Sequence, residues 1–196
     1  DYCTKQDGEV AGQPEAHALP TLSASEAGQL PLTSKRLMIR SFAGDSDIAM
    51  LETWLSDRYG RYFVLSSTAA HSVSIEELVN GDRNYLGMIT TPESRPIGAM
   101  AYLDYDIDQK RAELRKLIGD PEFRGMGLAE EATRLWIAYG INALSLEKIY
   151  VSTLQTHISN IKLNEKIGFQ VEGLLQDEVL IDGTRHDVLR MGLCKN

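Results

Sequence analysis

The stretch EFRGMGLAEEA, residues 122–132, places two glycines one residue apart between segments of different pattern. The segment before it, KRAELRKLIG (110–119), has the pattern of a strand. From Gly127 to Leu144, apolar residues recur as one broad helical stripe. The next apolar segment, KIYVSTL (148–154), is rich in β-branched and aromatic residues, which are typical of a buried strand. Strand, glycine loop, helix and strand form a parallel crossover, so the sequence predicts a mixed α/β sheet.

The segments around this unit complete one domain. Periods of two and of about 3.6 residues predict strands at 35–42, 84–91 and 97–108, helices at 44–60, 74–80 and 159–168, and a closing hairpin at 169–193. The predicted order over residues 34–196 is β-α-α-β-β-β-α-β-α-β-β. Residues 1–33 are rich in Gly, Ala, Ser, Pro, Gln and Glu and have no period, which predicts a flexible or loosely packed N-terminal extension.

Turn and cap residues mark several ends of these elements. Asp45 or Ser46 is expected to cap the first helix, and Ser74 with Glu77 predicts a capping box for the second. Asp182-Gly183 suits a tight primed turn between the last two strands.

Charge and composition exclude some classes of function. The 196 residues carry a net charge of -8, from 20 Lys and Arg against 28 Asp and Glu. Nucleic acids and anionic membranes attract a positive field, so we expect neither as a partner. No apolar run approaches the roughly 20 residues of a membrane span, and the chain starts without a signal-peptide pattern, so we expect an intracellular, cytoplasmic protein.

The two cysteines, Cys3 and Cys194, are too few for a disulfide framework. We expect two free thiols, with a bridge between them as the alternative. No paired Cys and His spacing suggests zinc, and no metal is expected.

The glycine loop has the features of an anion site. Glycines between a strand and a helix let a ligand approach the backbone, and the N–H groups at a helix start favour an anion. The candidate donors are the backbones of Phe123 through Leu128, and Arg124 adds a cation. A P-loop signature is absent, and Glu130 replaces the third glycine of a dinucleotide fingerprint. An acyl-CoA pyrophosphate site and a plain tight turn without a ligand remain as the two interpretations.

LIGDPEFRGMGLAEEA (117–132) followed by NIKLNEKIGFQVEG (160–173) resembles the Gcn5-related N-acetyltransferase (GNAT) family, especially its ribosomal-protein and small-amine branches. The resemblance covers about residues 35–193. It implies the GNAT acyl-CoA N-acyltransferase fold and acetyl-CoA as the cosubstrate. The implied contacts to acetyl-CoA are Leu117, Ile118, Phe123, Arg124, Gly125, Met126, Gly127, Leu128 and Asn160.

The sequence departs from the family pattern at three positions. Glu122 replaces the Gln or Arg that usually opens the loop motif. His157 stands where an Asn often opens the later helix, with Asn160 three residues on. Asn164 takes the place of a Tyr that often protonates the leaving CoA thiolate in this family, which an amide does less readily.

Acetyl transfer to an amine also needs a base and an acceptor pocket. Glu113 lies on the strand that enters the glycine loop, where a glutamate often acts as the base in the family; the alternative is an ion pair with Arg115 or Lys116. A backbone N–H near Leu117 or Ile118 is expected to polarise the thioester carbonyl. Tyr102 and Tyr105 are candidates for lining the amine pocket.

The acidic set Asp104, Asp106 and Asp108 has two interpretations: it attracts a cationic amine, or it forms a solvated hairpin tip. The predicted function is acetyl-CoA-dependent N-acetyl transfer to a primary amine of a small molecule, such as a polyamine or an amino sugar. The alternatives are a protein N-terminal acetyltransferase and a non-catalytic acyl-CoA-binding module. A homodimer is the expected assembly, from the habit of the family.

Overall fold

A computed structural model describes residues 29–63 and 74–195. In these ranges the strands are β1 (Leu32–Thr33), β2 (Met38–Ser41), β3 (Tyr85–Thr90), β4 (Pro96–Asp106), β5 (Arg111–Ile118), β6 (Lys148–Leu154), β7 (Gln170–Ile181) and β8 (Thr184–Cys194). The α-helices are α1 (Gly44–Ser56), α2 (Ile75–Asn80), α3 (Leu128–Asn142) and α4 (Ile158–Ile167), with short 3-10 turns at Gly60–Tyr62 and Pro121–Phe123.

All eight strands form one sheet in the order β1-β2-β3-β4-β5-β6-β8-β7. Neighbours are antiparallel except β5 and β6, which are parallel and are joined through α3. The predicted mixed α/β sheet with its crossover is therefore confirmed. The short strand β1 precedes the predicted series: Leu32 is buried and pairs with Ile39 of β2.

Two apolar clusters place helices on opposite faces of the sheet. One contains Leu135 and Trp136 of α3 and Ile167 of α4, and the other contains Leu51 and Trp54 of α1 with Leu78 of α2. Successive strand residues point to opposite faces. Ala112 and Leu114 of β5 accordingly join the α3 cluster, whereas Leu117 joins the α1 cluster.

The predicted end signals are mostly confirmed. Ser74 and Glu77 form both bonds of a capping box, and Asp182 and Gly183 both have positive φ, as a type I′ turn needs. The first helix differs, because α1 begins at Gly44 after Ala43, without a side-chain cap bond. Inside its first turn, the Asp47 carboxylate accepts the Ala43 N–H at 2.7 Å and the guanidinium of Arg40.

The ends of the chain bear on two further expectations. Residues 1–28, including Cys3, lie outside the described residues. Cys194 at the end of β8 is disulfide-bonded, so the expectation of two free thiols is wrong; the count of cysteines alone could not predict the oxidation of Cys194. None of the described helices is both long and apolar enough to cross a membrane.

Candidate functional site

Strands β5 and β6 separate half-way along their length. They pair at Arg111 with Lys148, Ala112 with Ile149, and Glu113 with Tyr150. The pairing then stops, although both strands continue, β5 to Ile118 and β6 to Leu154. The backbone of β6 keeps its pairing with β8 throughout, so the split opens on the β5 side only.

A cavity of about 600 Å³ lies at this split. Its walls come from four parts of the chain: β5, β6, the start of α4, and the segment that follows α1. The lining residues are Arg58, Tyr59, Tyr62, Phe63, Leu114, Arg115, Lys116, Leu117, Val151, Ser152, Thr153, Thr156, His157, Ile158, Ser159 and Asn160. No carboxylate lines this cavity among the residues the structure describes.

The glycine loop adjoins the split at the end of β5. Gly125 and Gly127 have φ values of 77° and 76°, a left-handed conformation that side chains strain, and a Cβ on Gly125 would meet nothing within 4 Å. Gly127 caps α3 without a side-chain bond. Within the described chain, no acceptor is found for the backbone N–H groups of Gly125, Met126, Gly127 and Leu128. Unpaired donors at the positive end of a helix suit a phosphate or pyrophosphate.

Arg36 supports the loop from the turn between β1 and β2. It donates to the Met126 carbonyl at 2.9 Å and forms an ion pair with Glu131 of α3. No local sequence pattern points to this arginine, because it lies 90 residues from Met126. Turning the Met126 carbonyl toward Arg36 helps to hold the loop conformation in which the N–H groups stay free.

Arg124 does not face the open side of the loop. Its guanidinium donates to the carbonyls of Ile118 and Gly119 at 3.0 and 2.7 Å and to Asp57 at 2.8 Å, and it lies over the Tyr59 ring. The bond from Arg124 holds the pKa of the Asp57 carboxyl below its usual value. Arg124, the cation expected to bind phosphate, thus bonds to groups of the protein itself and connects the loop to the end of α1.

Glu113 and Arg115 form a buried ion pair on β5, with Glu113 1% and Arg115 4% exposed. Arg115 donates to the Glu113 carboxylate at 2.9 Å and to the Ser152 carbonyl of β6 at 2.9 Å. Arg115 lines the cavity, and its buried Nε has no partner among the described residues. Glu113 does not line the cavity. The ion-pair alternative of the sequence analysis is therefore what the structure displays.

Lys116 and Asn164 meet on the α3 side of the sheet. The Lys116 ammonium donates to Asn164 Oδ1 at 2.5 Å, and Asn164 on α4 is fully buried. Burial, followed by the charge of Arg115, lowers the pKa of Lys116 from 10.5 to about 7. Lys116 lines the cavity, whereas Asn164 is outside the lining and contacts the ammonium from α4. From the sequence, this lysine was expected only as a possible partner of Glu113.

His157 and Asn160 lie at the start of α4 and line the cavity. Asn160 donates to the Thr153 hydroxyl of β6 at 2.9 Å, which fixes its side chain at the split. The His157 ring contacts Tyr62 edge-to-face with ring centroids 4.7 Å apart, and burial lowers its pKa. His157 is thus a neutral imidazole near pH 7, able to accept a proton.

The remaining predicted residues fall in three places. Leu117 lines the cavity, and Ile118 is partly buried beside it. Phe123 packs under Arg95, which also pairs with Glu122. Ile118, Phe123 and Glu122 are outside the cavity lining.

Tyr102 and Tyr105 lie away from the cavity. Tyr102 is fully buried, and its hydroxyl donates to the Trp136 carbonyl at 2.8 Å. The Tyr105 hydroxyl donates to the Leu144 carbonyl at 3.1 Å. In each case the polar end of a core aromatic is satisfied by α3 or by the loop that follows it, so neither ring is available to a substrate in this conformation.

The acidic set lies at the β4–β5 hairpin. Asp106 accepts from the Gln109 backbone within the turn, and Asp108 is exposed. This hairpin is at the opposite end of β5 from the cavity, which agrees with the hairpin-tip interpretation.

No group of three or more His, Cys, Asp or Glu side chains that suits a metal ion occurs within residues 29–63 and 74–195.

Comparisons with known proteins identify the family and the fold. A family model described as "Acetyltransferase (GNAT) domain" matches residues 36–170. The chain is 26% identical over 147 residues to spermidine N(1)-acetyltransferase of Escherichia coli (strain K12), covering 75% of each chain. It is 29% identical over 93 residues to a putative ribosomal N-acetyltransferase of Bacillus subtilis (strain 168), covering 46% of this chain and 50% of that one. A dodecameric structure of spermidine N-acetyltransferase from Vibrio cholerae shares the fold with a TM-score of 0.70 and 22% identity, over 82% of this chain and 95% of that chain.

Proposed function

We infer from the site that this chain, which belongs to the GNAT acetyltransferase family, transfers an acetyl group from acetyl-CoA to a primary amine of a small molecule. The chain is an N-acetyltransferase, and the observation that carries the inference about its site is the split between β5 and β6 beside the glycine loop. In this proposal the split holds the extended pantetheine arm that carries the thioester, and the glycine loop holds the CoA pyrophosphate.

The free N–H groups of Gly125 through Leu128 support a place for the CoA pyrophosphate at the start of α3. From there the pantetheine arm runs into the split, where β5 lacks a partner strand beyond Glu113. An N–H near Leu117 or Ile118 then binds the acetyl carbonyl oxygen and stabilises the charge that develops on it. Asn160 lies on the opposite wall of the split, on the α4 side.

The acceptor amine enters from the α1 side in this proposal. Tyr59, Tyr62 and Phe63 line that side of the cavity, and aromatic faces attract alkylammonium groups. The relatives named spermidine N(1)-acetyltransferase make a polyamine the first acceptor to test. Arg58 and Arg115, with no carboxylate in the described lining, favour as a second candidate an amine of lower positive charge, such as an amino sugar.

Two side chains are candidates for the base that takes the amine proton. Glu113 is on the strand that the family resemblance indicates, but it is buried in its pair with Arg115. His157 is neutral near pH 7, lines the cavity, and contacts Tyr62 on the proposed acceptor side. We therefore propose His157 as the proton acceptor and Glu113 as the group that holds Arg115 in place.

The test is calorimetric titration of the purified chain with acetyl-CoA, CoA, NADH and ATP in parallel. Acetyl-CoA and CoA are expected to bind and the other two to bind weakly or not at all. Detection of released thiol with spermidine, glucosamine and a peptide with a free N-terminus then identifies the acceptor class. Binding of NADH or ATP in preference to CoA overturns the proposal, and CoA binding without thiol release from any amine supports the non-catalytic module.

We also propose that the chain forms a homo-oligomer. The related protein from Vibrio cholerae has a dodecameric structure. The edge strand β7 exposes three large apolar side chains, Val171, Leu174 and Leu180, and exposed apolar surface is typical of interfaces between chains. Light scattering that gives the mass of a single chain at working concentration overturns this proposal, and a mass of two chains supports the dimer.

A further inference from the structure

The transfer reaction requires a proton donor for its leaving group. The amine nitrogen bonds to the thioester carbonyl carbon, the carbon–sulfur bond breaks, and the electron pair leaves on the CoA sulfur. The amine gives one proton to a base, and the thiolate needs one from an acid. Asn164 cannot supply it, because an amide does not release a proton near neutral pH.

Few side chains of the described cavity lining release a proton near neutral pH. The guanidinium groups of Arg58 and Arg115 do not lose theirs. His157 is already neutral there, because burial lowers its pKa. The Tyr62 hydroxyl accepts a hydrogen bond from Arg61 at 2.9 Å. Tyr59, in the segment that follows α1, is 65% exposed. These tyrosines both lie on the proposed acceptor side.

Lys116 differs from these groups in position. It shares the face of β5 that carries Ala112 and Leu114, on which α3 and α4 pack. It is therefore on the side from which the arm of CoA enters in the proposed function. It also lies beyond Glu113, in the part of β5 that has separated from β6.

We propose that the Lys116 ammonium protonates the departing CoA thiolate, with Asn164 positioning the ammonium. This inference rests on the proposed function. The proton passes from Nζ to sulfur as the carbon–sulfur bond breaks, and the neutral amine of Lys116 then regains a proton from solvent. Asn164 Oδ1 accepts a hydrogen bond from Nζ, and because Asn164 is itself fully buried, this bond fixes the position of the ammonium beside the split.

The electrostatic surroundings suit this transfer. On its own strand Lys116 has Arg115 and Glu113 as charged neighbours, and the charge of Arg115 contributes to the lowered pKa of about 7. From the facing elements, His157 of α4, Arg58 of the α1 segment, and Tyr59 and Tyr62 line the same cavity, and no described carboxylate does so. A free thiol has a pKa of about 8.5, so transfer from Lys116 to a thiolate is downhill.

The experiment compares four variants of the full chain, using acetyl-CoA and the acceptor that the amine screen identifies. Lys116→Met removes the proton with little change in volume. Lys116→Arg keeps the charge but cannot release a proton. Lys116→Met combined with Asn164→Tyr places a phenol beside the lost ammonium. Lys162→Met, at an exposed position of α4 outside the cavity lining, is the matched control.

We expect both single Lys116 variants to lose about 10²-fold in kcat per folded molecule while CoA affinity stays near that of the control. The kcat of the wild-type chain should fall as pH rises above about 7, and Lys116→Met should lack that limb. The double variant should recover at least about tenfold.

Three results overturn the proposal: unchanged kcat in Lys116→Met, wild-type kcat in Lys116→Arg, or loss of the rising limb of the pH profile in place of the falling one. A wild-type chain that acetylates no amine instead contradicts the proposed function, before any variant is compared.

Discussion

Replacing Glu113 by Gln should destabilise the protein far more than a surface change does. The substitution keeps the shape of the side chain but leaves the Arg115 guanidinium, 4% exposed, without a counter-charge. Breaking a buried ion pair in this way costs about 3–5 kcal/mol of unfolding free energy. In a chain of this length, each kcal/mol lowers the thermal midpoint by roughly 2–4 °C, so a fall of roughly 6–20 °C is expected.

A double-mutant cycle measures the interaction energy between Glu113 and Arg115 separately from the effect of each single substitution. Arg115→Met should lower the unfolding free energy by a similar amount. It leaves the Glu113 carboxylate buried without its partner and removes the group that donates to the Ser152 carbonyl. The double variant should be more stable than the sum of the two losses predicts, by about 2 kcal/mol or more. Glu147→Gln, which removes an exposed pair with Lys110, is the control and should leave unfolding nearly unchanged.

Urea unfolding followed by fluorescence measures all four stabilities. A loss of less than about 1 kcal/mol in each single variant, with the two losses adding in the double variant, contradicts a coupled buried ion pair. Activity measured per folded molecule then tests whether Glu113 is the catalytic base. A Glu113→Gln chain that is folded at low temperature should retain most of its rate if Glu113 only positions Arg115.

Three further outcomes follow from the site. Gly125→Asp should weaken CoA binding at least tenfold, through negative charge against the pyrophosphate and strain at positive φ, whereas Gly183→Asp, at an exposed turn of similar φ, should not; equal affinities in calorimetry argue against the loop as the anion site. His157→Gln should lower kcat and remove the rising limb of the pH profile, and an intact limb transfers the role of base elsewhere. The folded-state pKa of Lys116 is below its unfolded value of 10.5, so the unfolded chain binds more protons between pH 7 and 10. The unfolding free energy should therefore rise with pH in this range by up to about 1.4 kcal/mol per pH unit. Lys116→Met should show a smaller rise in urea titrations, and an identical slope contradicts the lowered pKa.

Local patterns predicted the elements around the glycine loop because their causes are local. The period of α3, the β-branched run of β6 and the turn at Asp182-Gly183 are each set by residues within one segment. The crossover rule then fixed how β5, α3 and β6 connect. The two-residue strand β1 was missed because it is too short to show any period.

The chemistry of the cavity depended on contacts that a sequence does not display. Alternation along β5 predicts which residues share a face, but it gives no sign that pairing with β6 ends at Glu113. Lys116 meets Asn164 48 residues away, and Arg124 meets Asp57 67 residues away. Both cations were visible in the sequence, yet their partners depend on how α4 and α1 pack. Tyr102 was ambiguous for the same reason: its hydroxyl finds an acceptor on α3.

The ladder between β5 and β6 is short, so the sheet has a gap where these two strands continue without pairing. Three paired positions join the two halves of the sheet there, against seven between β6 and β8. A bound acetyl-CoA arm would occupy the gap as an extra strand does in β-augmentation. Because that ligand binds only the folded chain, it adds RT ln(1 + [L]/Kd) to stability, about 2.7 kcal/mol at a hundredfold excess over Kd. If acetyl-CoA binds at the split as proposed, the lifetime of this protein against proteolysis depends on the supply of its cosubstrate.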